Sequence, residues 1–191
     1  MSNKTTQSDI SVGNGDVVGG SKFSSTYVFT GPVSQITHLS IEYEKEMMRC
    51  TNGISDFLPE LKHYMSAISS EQVLGLEEKL LIADRGKQIE DASRQKETFA
   101  KHLHKHATSK SAQRIFLYLL GELLYRFRTY VKPKIDDGIP KQAIDRAVFE
   151  DVVMPAMQGL ERNVLNLYHE EIWGMIYYLT GNCHIRWSKE C

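Results

Sequence analysis

The sequence has few cysteines, no long apolar run and no apolar stretch near its start, and each absence excludes a class of protein. Its three cysteines, Cys50, Cys183 and Cys191, lack the spacing of a disulfide framework, which indicates a reducing compartment. No run of residues approaches the roughly 18 apolar residues that a membrane-spanning helix needs. The first residues, MSNKTTQSDI, are polar and lack the apolar core of a secretion signal. We therefore expect a soluble, cytoplasmic protein that does not contact a membrane.

Length and composition limit the folds that the chain can form. The chain has 191 residues, of which 41% are hydrophobic and 25% charged, so it can form one domain with a substantial core and an appendage. A net charge of −1 does not indicate a polyanion-binding protein as a whole. Strand-like and helix-like segments do not alternate along the chain, which argues against a doubly wound sheet.

Two regions of the chain differ in composition, and we divide it between them. Residues 1–34 are rich in Gly, Ser and Thr and predict a flexible leader. The side chains of Phe23, Tyr27 and Phe29 leave two interpretations of this leader open. It is either a disordered tail or a short strand that pairs with the sheet edge of a partner protein. Residues 35–191 carry apolar side chains at three- and four-residue steps and predict a helical domain.

The predicted fold is all-α, a helical bundle of about five to six helices. One helix is expected from about residue 70 to about residue 107, and a break near Gly86 is an open alternative because the middle of this segment is almost wholly polar. The most apolar helix is expected to stop before Pro133, because a proline disfavours helical geometry at the residue that precedes it. Pro155 is expected to break the following helix or to begin the last one.

The last predicted helix leads into the most individual stretch of the sequence. Apolar residues from Leu160 to Leu179 repeat at helical spacing, and Gly181 suits the left-handed position that follows a helix end.

Beyond this helix, residues 184–187 predict a short extended segment. Ile185 and Trp187 alternate with His184 and Arg186, so one side of the segment is apolar. Two interpretations are open. The segment is either a tether whose Trp187 plugs the bundle, or an anchor that uses His184, Arg186 and Trp187 to bind a partner protein.

Charge is distributed unevenly along the chain. Residues 85–134 contain 12 lysines and arginines against 4 acidic residues, while the segments on either side, 41–84 and 135–171, each have a net charge of −5. This basic block either binds nucleic acid or an acidic partner, or it faces the acidic helices of its own bundle. The candidate nucleic-acid-binding residues are Arg85, Lys87, Arg94, Lys96, Lys101 and Lys105.

The residues that most often carry chemistry do not form a recognised constellation. His102 and His106 are one helical turn apart and could share a metal ion, but no further ligand lies at a matching spacing. Cys183 and His184 are adjacent, and adjacent side chains rarely point together as a nucleophile and its base. We therefore expect a protein that is not an enzyme, with no catalytic residue, no metal, no cofactor and no small-molecule substrate.

Two short motifs resemble those of a bacterial protein family. The apolar sequence IWGMIYYL at 172–179 is followed by TGNCHIRW at 180–187, which resembles the end of C-terminal domains of bacterial ABC-three-component conflict systems. The sequence GDVVGGSK at 15–22 is similar to a Gly-Asp-x-x-x-Gly-x-Lys stretch that precedes many bacterial defence modules.

This resemblance implies assembly rather than catalysis. In such systems an effector, a small middle component and an SMC- or ABC-type ATPase act together against phage or plasmids, and the C-terminal domain couples the effector to the other components. Only the predicted leader precedes the helical domain in this sequence. The resemblance therefore implies an adaptor that binds the ATPase or the effector, or a middle component. The alternative function is a helical nucleic-acid-binding protein that uses the basic block.

Overall fold

The computed structural model describes residues 34–49, 56–68 and 74–189, which form seven helices and no strand. The first four helices are α1 (Gln35–Met48), α2 (Pro59–Met65), α3 (Leu76–Ile82) and α4 (Ile89–Lys105), the last preceded by a 3₁₀ turn at Gly86–Gln88. Helix α5 runs through Lys110–Arg126, Phe127–Val131 and Lys132–Asp136, helix α6 through Lys141–Ala147, Val148–Val153 and Met154–Gly159, and α7 is His169–Gly181. The all-α prediction is confirmed, although these residues alone form more helices than the predicted five to six.

The predicted leader up to residue 33 lies outside the described residues. With it lie Phe23, Tyr27, Phe29 and the motif at 15–22, so the two interpretations of the leader stay predictions. Within the described part of the chain, no helix combines enough length and apolar character to cross a membrane.

Helices α4, α5 and α7 form the centre of the bundle. Phe99 of α4 packs edge-on against Phe116 of α5, with ring centroids 5.9 Å apart, and against Tyr178 of α7 at 5.2 Å. All three side chains are buried, and such edge-to-face contacts add to the free energy gained by burying the rings. The apolar sequence of α7 is explained by this position, because nearly every residue of its second half is buried.

A glycine sets the distance between α4 and α7. A Cβ atom added to Gly174 would overlap the carbonyl oxygen of Gln95 and lie 2.8 Å from the Cβ of Phe99. The backbones of the two helices therefore approach more closely than a larger residue permits, and this approach brings the end of α7 against α4.

Both helices that contain an internal proline continue through it, so the predicted stop before Pro133 and the predicted break at Pro155 are wrong. Each proline follows a short π-helical segment, whose wider turn is closed by a hydrogen bond between residues five apart. The N–H of Lys132 donates to the carbonyl of Phe127, and the N–H of Met154 donates to that of Phe149. Because a proline ring crowds the preceding turn and supplies no N–H, the widened turn accommodates it where a regular one would be disrupted.

The segment from about residue 70 to residue 107 is broken near Gly86, as the open alternative proposed. Asp84 has a φ of 53°, which is left-handed and ends α3. The N–H of Arg85 then donates to the carbonyl of Leu80 at 2.7 Å, which turns the chain and directs the Arg85 side chain into the core.

The close approach at Gly174 generates a stability prediction. Because the added methyl group has no space, Gly174→Ala should lower the free energy of unfolding by about 1–3 kcal/mol in chemical denaturation. The matched control is Gly159→Ala, where no atom lies within 4 Å of the added Cβ and no loss is expected. Equal effects of the two substitutions would contradict this account of the α4–α7 contact.

Candidate functional site

The chain reverses direction after α7 and folds back on the bundle. Cys183 has a φ of 64°, and the N–H groups of His184 and Ile185 both donate to the carbonyl of Leu179, at 2.9 and 3.3 Å. The left-handed residue is therefore Cys183, and the expectation that Gly181 takes this position is wrong. Gly181 instead leaves space for Lys96, whose Nζ would lie 2.9 Å from an added Cβ. We call residues 182–187 the C-terminal segment.

Trp187 fixes the far end of the C-terminal segment in the core. It is 5% exposed, and its indole Nε1 donates to Oγ1 of Thr180 at 3.0 Å. The indole packs edge-on against Phe127, with centroids 5.0 Å apart, and stacks on Tyr177 at 6.4 Å. This is the geometry that the tether interpretation of Trp187 requires.

A buried arginine completes the Trp187 environment. The Arg85 side chain is 3% exposed, and its guanidinium carbon lies 4.6 Å from the centre of the Trp187 ring. The same guanidinium donates to Oδ1 of Asp145 at 2.5 Å and to Oε1 of Gln88 at 3.2 Å. Because a buried cation is costly unless it is paired and hydrogen-bonded, these contacts together make the position tolerable. Burial also raises the pKa of the neighbouring Tyr177 to about 12, so that phenol stays protonated at neutral pH.

A second buried cation caps the end of α7. Lys79 of α3 is buried, and its Nζ donates to the Thr180 carbonyl at 2.5 Å and to Sγ of Cys183 at 3.0 Å. The carbonyl of Gly181 lies 3.5 Å from the same atom. A cation at this place satisfies the free carbonyls at a helix end and complements the negative end of the helix dipole.

His184 lies inside the structure, whereas the alternating pattern indicated that it shares the exposed side with Arg186. It is 3% exposed, and its ring is 5.2 Å from that of His63 and 5.4 Å from that of Tyr64. Neither ring nitrogen has a hydrogen-bond partner within the described residues. Burial, and secondarily the nearby His63, lowers the pKa of His184. Of the three predicted partner-binding residues in this segment, only Arg186 is exposed.

Much of the basic block pairs with carboxylates of the same chain. Arg94 contacts Glu170 of α7 and Asp91, and Lys101 pairs with Glu97. Further ion pairs join Arg114 to Glu42, Arg126 to Glu122 and Lys134 to Asp151. The predicted nucleic-acid-binding residues are therefore not one free surface: Arg85 is buried, Arg94 and Lys101 are paired, Lys96 is half-buried, and Lys87 and Lys105 are exposed.

The two histidines that were considered as metal ligands do lie together. The rings of His102 and His106 are 5.0 Å apart, and Nδ1 of His106 is 3.5 Å from the Tyr43 hydroxyl. Burial lowers the pKa of both imidazoles. Among the described residues, no group of three or more His, Cys, Asp or Glu side chains is arranged to hold a metal ion.

Comparison with protein families identifies the domain. Residues 75–187, more than half of the chain, match the model of C-terminal domain 9 of the ABC-three component (ABC-3C) systems. The chain belongs to this family. The resemblance read from the last helix and the C-terminal segment is thus confirmed, and the match to the ABC-3C domain ends at Trp187 itself. No match was found among curated proteins or among solved structures.

Sequence reasoning missed the role of Lys79 in this ABC-3C domain. A signal was present, since Lys79 is spaced three residues from Leu76 and one from Leu80, both on the buried face of α3. A lysine at a position that helical spacing assigns to the apolar face indicates a buried amine with a specific partner. The partner of Lys79 is the end of α7, about a hundred residues away in sequence. The local spacing of apolar residues could not predict this contact.

Removal of the Trp187 side chain tests the anchor. Because this indole fills the space between Phe127 and Tyr177, Trp187→Ala should lower the free energy of unfolding by about 3–5 kcal/mol. The control Tyr125→Ala removes an aromatic ring that is 62% exposed and should change it by no more than about 0.5 kcal/mol. A Trp187→Ala protein as stable as the control would show that the segment is not held by this contact.

The buried histidines predict a pH dependence of stability. Their pKa values are lowered in the folded state, so the unfolded chain binds more protons once the pH falls below the ordinary histidine pKa of about 6.5. The free energy of unfolding should therefore be constant above about pH 7 and decrease from there towards about pH 5. His184→Gln should reduce this slope in denaturation curves. An identical slope in the two proteins would contradict the assignment.

Proposed function

We propose that the chain is a non-catalytic adaptor of a bacterial defence complex, which binds the SMC- or ABC-type ATPase or the effector of its ABC-3C system in the cytoplasm. Membership of a family defined by multicomponent systems supports protein partners. One observation carries the proposal: side chains that could take part in chemistry have a structural role instead. Arg85, Lys79 and Trp187 hold the C-terminal segment to the bundle, and none of them is left to act on a substrate.

The condition of the other ionisable groups supports a non-catalytic role. Tyr177 stays protonated at neutral pH, and His184 is buried beside His63 and Tyr64 with no hydrogen-bond partner on either ring nitrogen in the part of the chain that the structure describes. General acid–base catalysis needs a titratable group within hydrogen-bond reach of the proton that it moves. Tyr177 and His184 each line a small cavity, but the ring nitrogens of His184 have no hydrogen-bond partner among the described residues.

Pairing of the basic block favours the adaptor over the nucleic-acid-binding alternative. Phosphate contacts require cations that are free to replace the counterions of the nucleic acid. Here Arg94 and Lys101 form surface ion pairs with Glu170 and Glu97, which a phosphate would have to replace, and Arg85 is buried with Asp145. The charge pattern therefore fits a bundle whose basic helices face its own acidic helices.

Reconstitution with the other components of the same ABC-3C system tests the proposal. We expect the full chain to co-elute with the ATPase or the effector in gel filtration with light scattering, and to give no salt-sensitive shift of DNA or RNA. A chain that stays a separate monomer beside those components would contradict the adaptor role.

A triple variant tests the alternative function, nucleic-acid binding. If the chain did bind DNA or RNA through α4, replacement of Arg94, Lys96 and Lys101 by Glu would abolish the shift, because it reverses three charges on one helix. A shift of the unmodified chain that this triple variant eliminates would favour the alternative function.

A further inference from the structure

A small groove with a cationic rim lies between α5 and the C-terminal segment. Its rim carries Arg128 and Lys132 from α5, of which Lys132 pairs with Asp136, and Arg186 from the C-terminal segment. Its apolar wall includes Phe127 and Ile185, which are buried, and Ile68, which is partly exposed. We call this feature the cationic groove.

The arginines of the cationic groove differ from most others in the domain. Nine arginines lie within the described residues, and six of them pair with a carboxylate. The three that have no such partner among these residues are Arg49, Arg128 and Arg186, and two of the three share this groove. Arg128 donates only to the carbonyl of His184, at 3.4 Å.

The position of Arg186 is fixed by the anchor described above. Its neighbours Ile185 and Trp187 are both buried, so the backbone that carries Arg186 cannot move away without removing them from the core. The exposed Arg186 is therefore held at the groove that Arg128 also lines, so two positive charges face one cavity. Two like charges maintained in one place at the surface are stabilised when an anion binds between them.

The volume and lining of the groove indicate which kind of molecule carries that anion. The cavity is about 180 Å³, below the roughly 300–1,000 Å³ of small-molecule pockets, so it has room for a side chain rather than a metabolite. Of the apolar wall residues, Ile68 is 41% exposed and can contact the aliphatic part of a peptide. Tyr125 and Tyr130, both exposed, flank Arg128 in the sequence of α5, and tyrosine and arginine are the residue types that carry most energy in protein interfaces.

We propose that the cationic groove binds an acidic segment of a partner protein, with a carboxylate of that segment held between the guanidinium groups of Arg128 and Arg186. A planar guanidinium matches a carboxylate with two parallel hydrogen bonds, which gives such a contact both strength and direction. This inference rests on the proposed adaptor function and names the chemistry of its partner. A nucleic acid is disfavoured because the paired basic residues of α4 leave no continuous cationic stripe for a phosphate backbone.

Peptide binding measured by fluorescence anisotropy tests the proposal. The probe is a short fluorescein-labelled peptide of alternating Glu and Leu, compared with the same peptide carrying Gln in place of Glu. We expect the Glu peptide to bind the full chain at least about tenfold more tightly. We also expect the double variant Arg128→Glu/Arg186→Glu to lose at least about tenfold of that affinity.

A matched control distinguishes an effect of the groove on affinity from an effect of net charge. Arg49→Glu/Lys87→Glu makes the same change in net charge at two exposed residues outside the groove and should leave the affinity unchanged. The milder variant Arg128→Gln/Arg186→Gln repeats the test without charge reversal. Thermal unfolding should be similar in all variants because the substituted side chains are at the surface. An equal loss in the control pair would overturn the proposal.

Two further outcomes would also overturn it. If a mixed-sequence single-stranded oligonucleotide binds the groove more tightly than the Glu peptide and is released by Arg128→Glu/Arg186→Glu, the groove is a phosphate site. If sedimentation shows a dimer that the same variant dissociates, the occupant is a second copy of the chain. The experiments distinguish an error in the groove proposal from an error in the proposed adaptor function. A chain that joins its ABC-3C partners equally well with and without Arg128 and Arg186 is an adaptor that uses another surface, whereas a chain that never joins them is not an adaptor.

Discussion

The structure depends on one buried cation, the guanidinium of Arg85 between Asp145 and the Trp187 ring. A charge in the core is stable only where a carboxylate or an aromatic face replaces the water that it has lost. Here those replacements come from α6 and from the C-terminal segment, while Arg85 itself lies in the turn before α4. Three parts of the chain that are distant in sequence are therefore joined at one point, and the segment after α7 is part of the core.

The anchored segment also determines what the domain presents at its surface. Because Trp187 and Ile185 are buried, Arg186 between them is held at the surface, at the groove that Arg128 also lines. Most other cations of the basic block form ion pairs with carboxylates of the same chain, among them Arg94 and Lys101 of α4. The family match covers this whole arrangement, from the start of α3 to Trp187.

Local patterns predicted the helices well and tertiary details poorly. The spacing of apolar residues was enough for the all-α fold, because a helix buries one face whatever its partner. Pro133 was misjudged because the widened turn before it depends on a hydrogen bond from Lys132 to Phe127 that no propensity indicates. The last helix was predicted to include Leu160, but Asn163 bonds both the N–H and the carbonyl of Leu167 and holds that stretch as a loop.

At the site, the sequence indicated the important residues but not the residues that they contact. It marked Trp187 and Arg85 but not their contact, and it placed His184 outside because alternation ignores a neighbour such as His63. The most direct test of the account is a double-mutant cycle on unfolding, with Arg85→Met, Trp187→Leu and the double variant. We expect a favourable coupling of about 0.5–2 kcal/mol between the two side chains, as for a desolvated cation over an indole. A coupling of zero would contradict the claim that this contact holds the C-terminal segment in place.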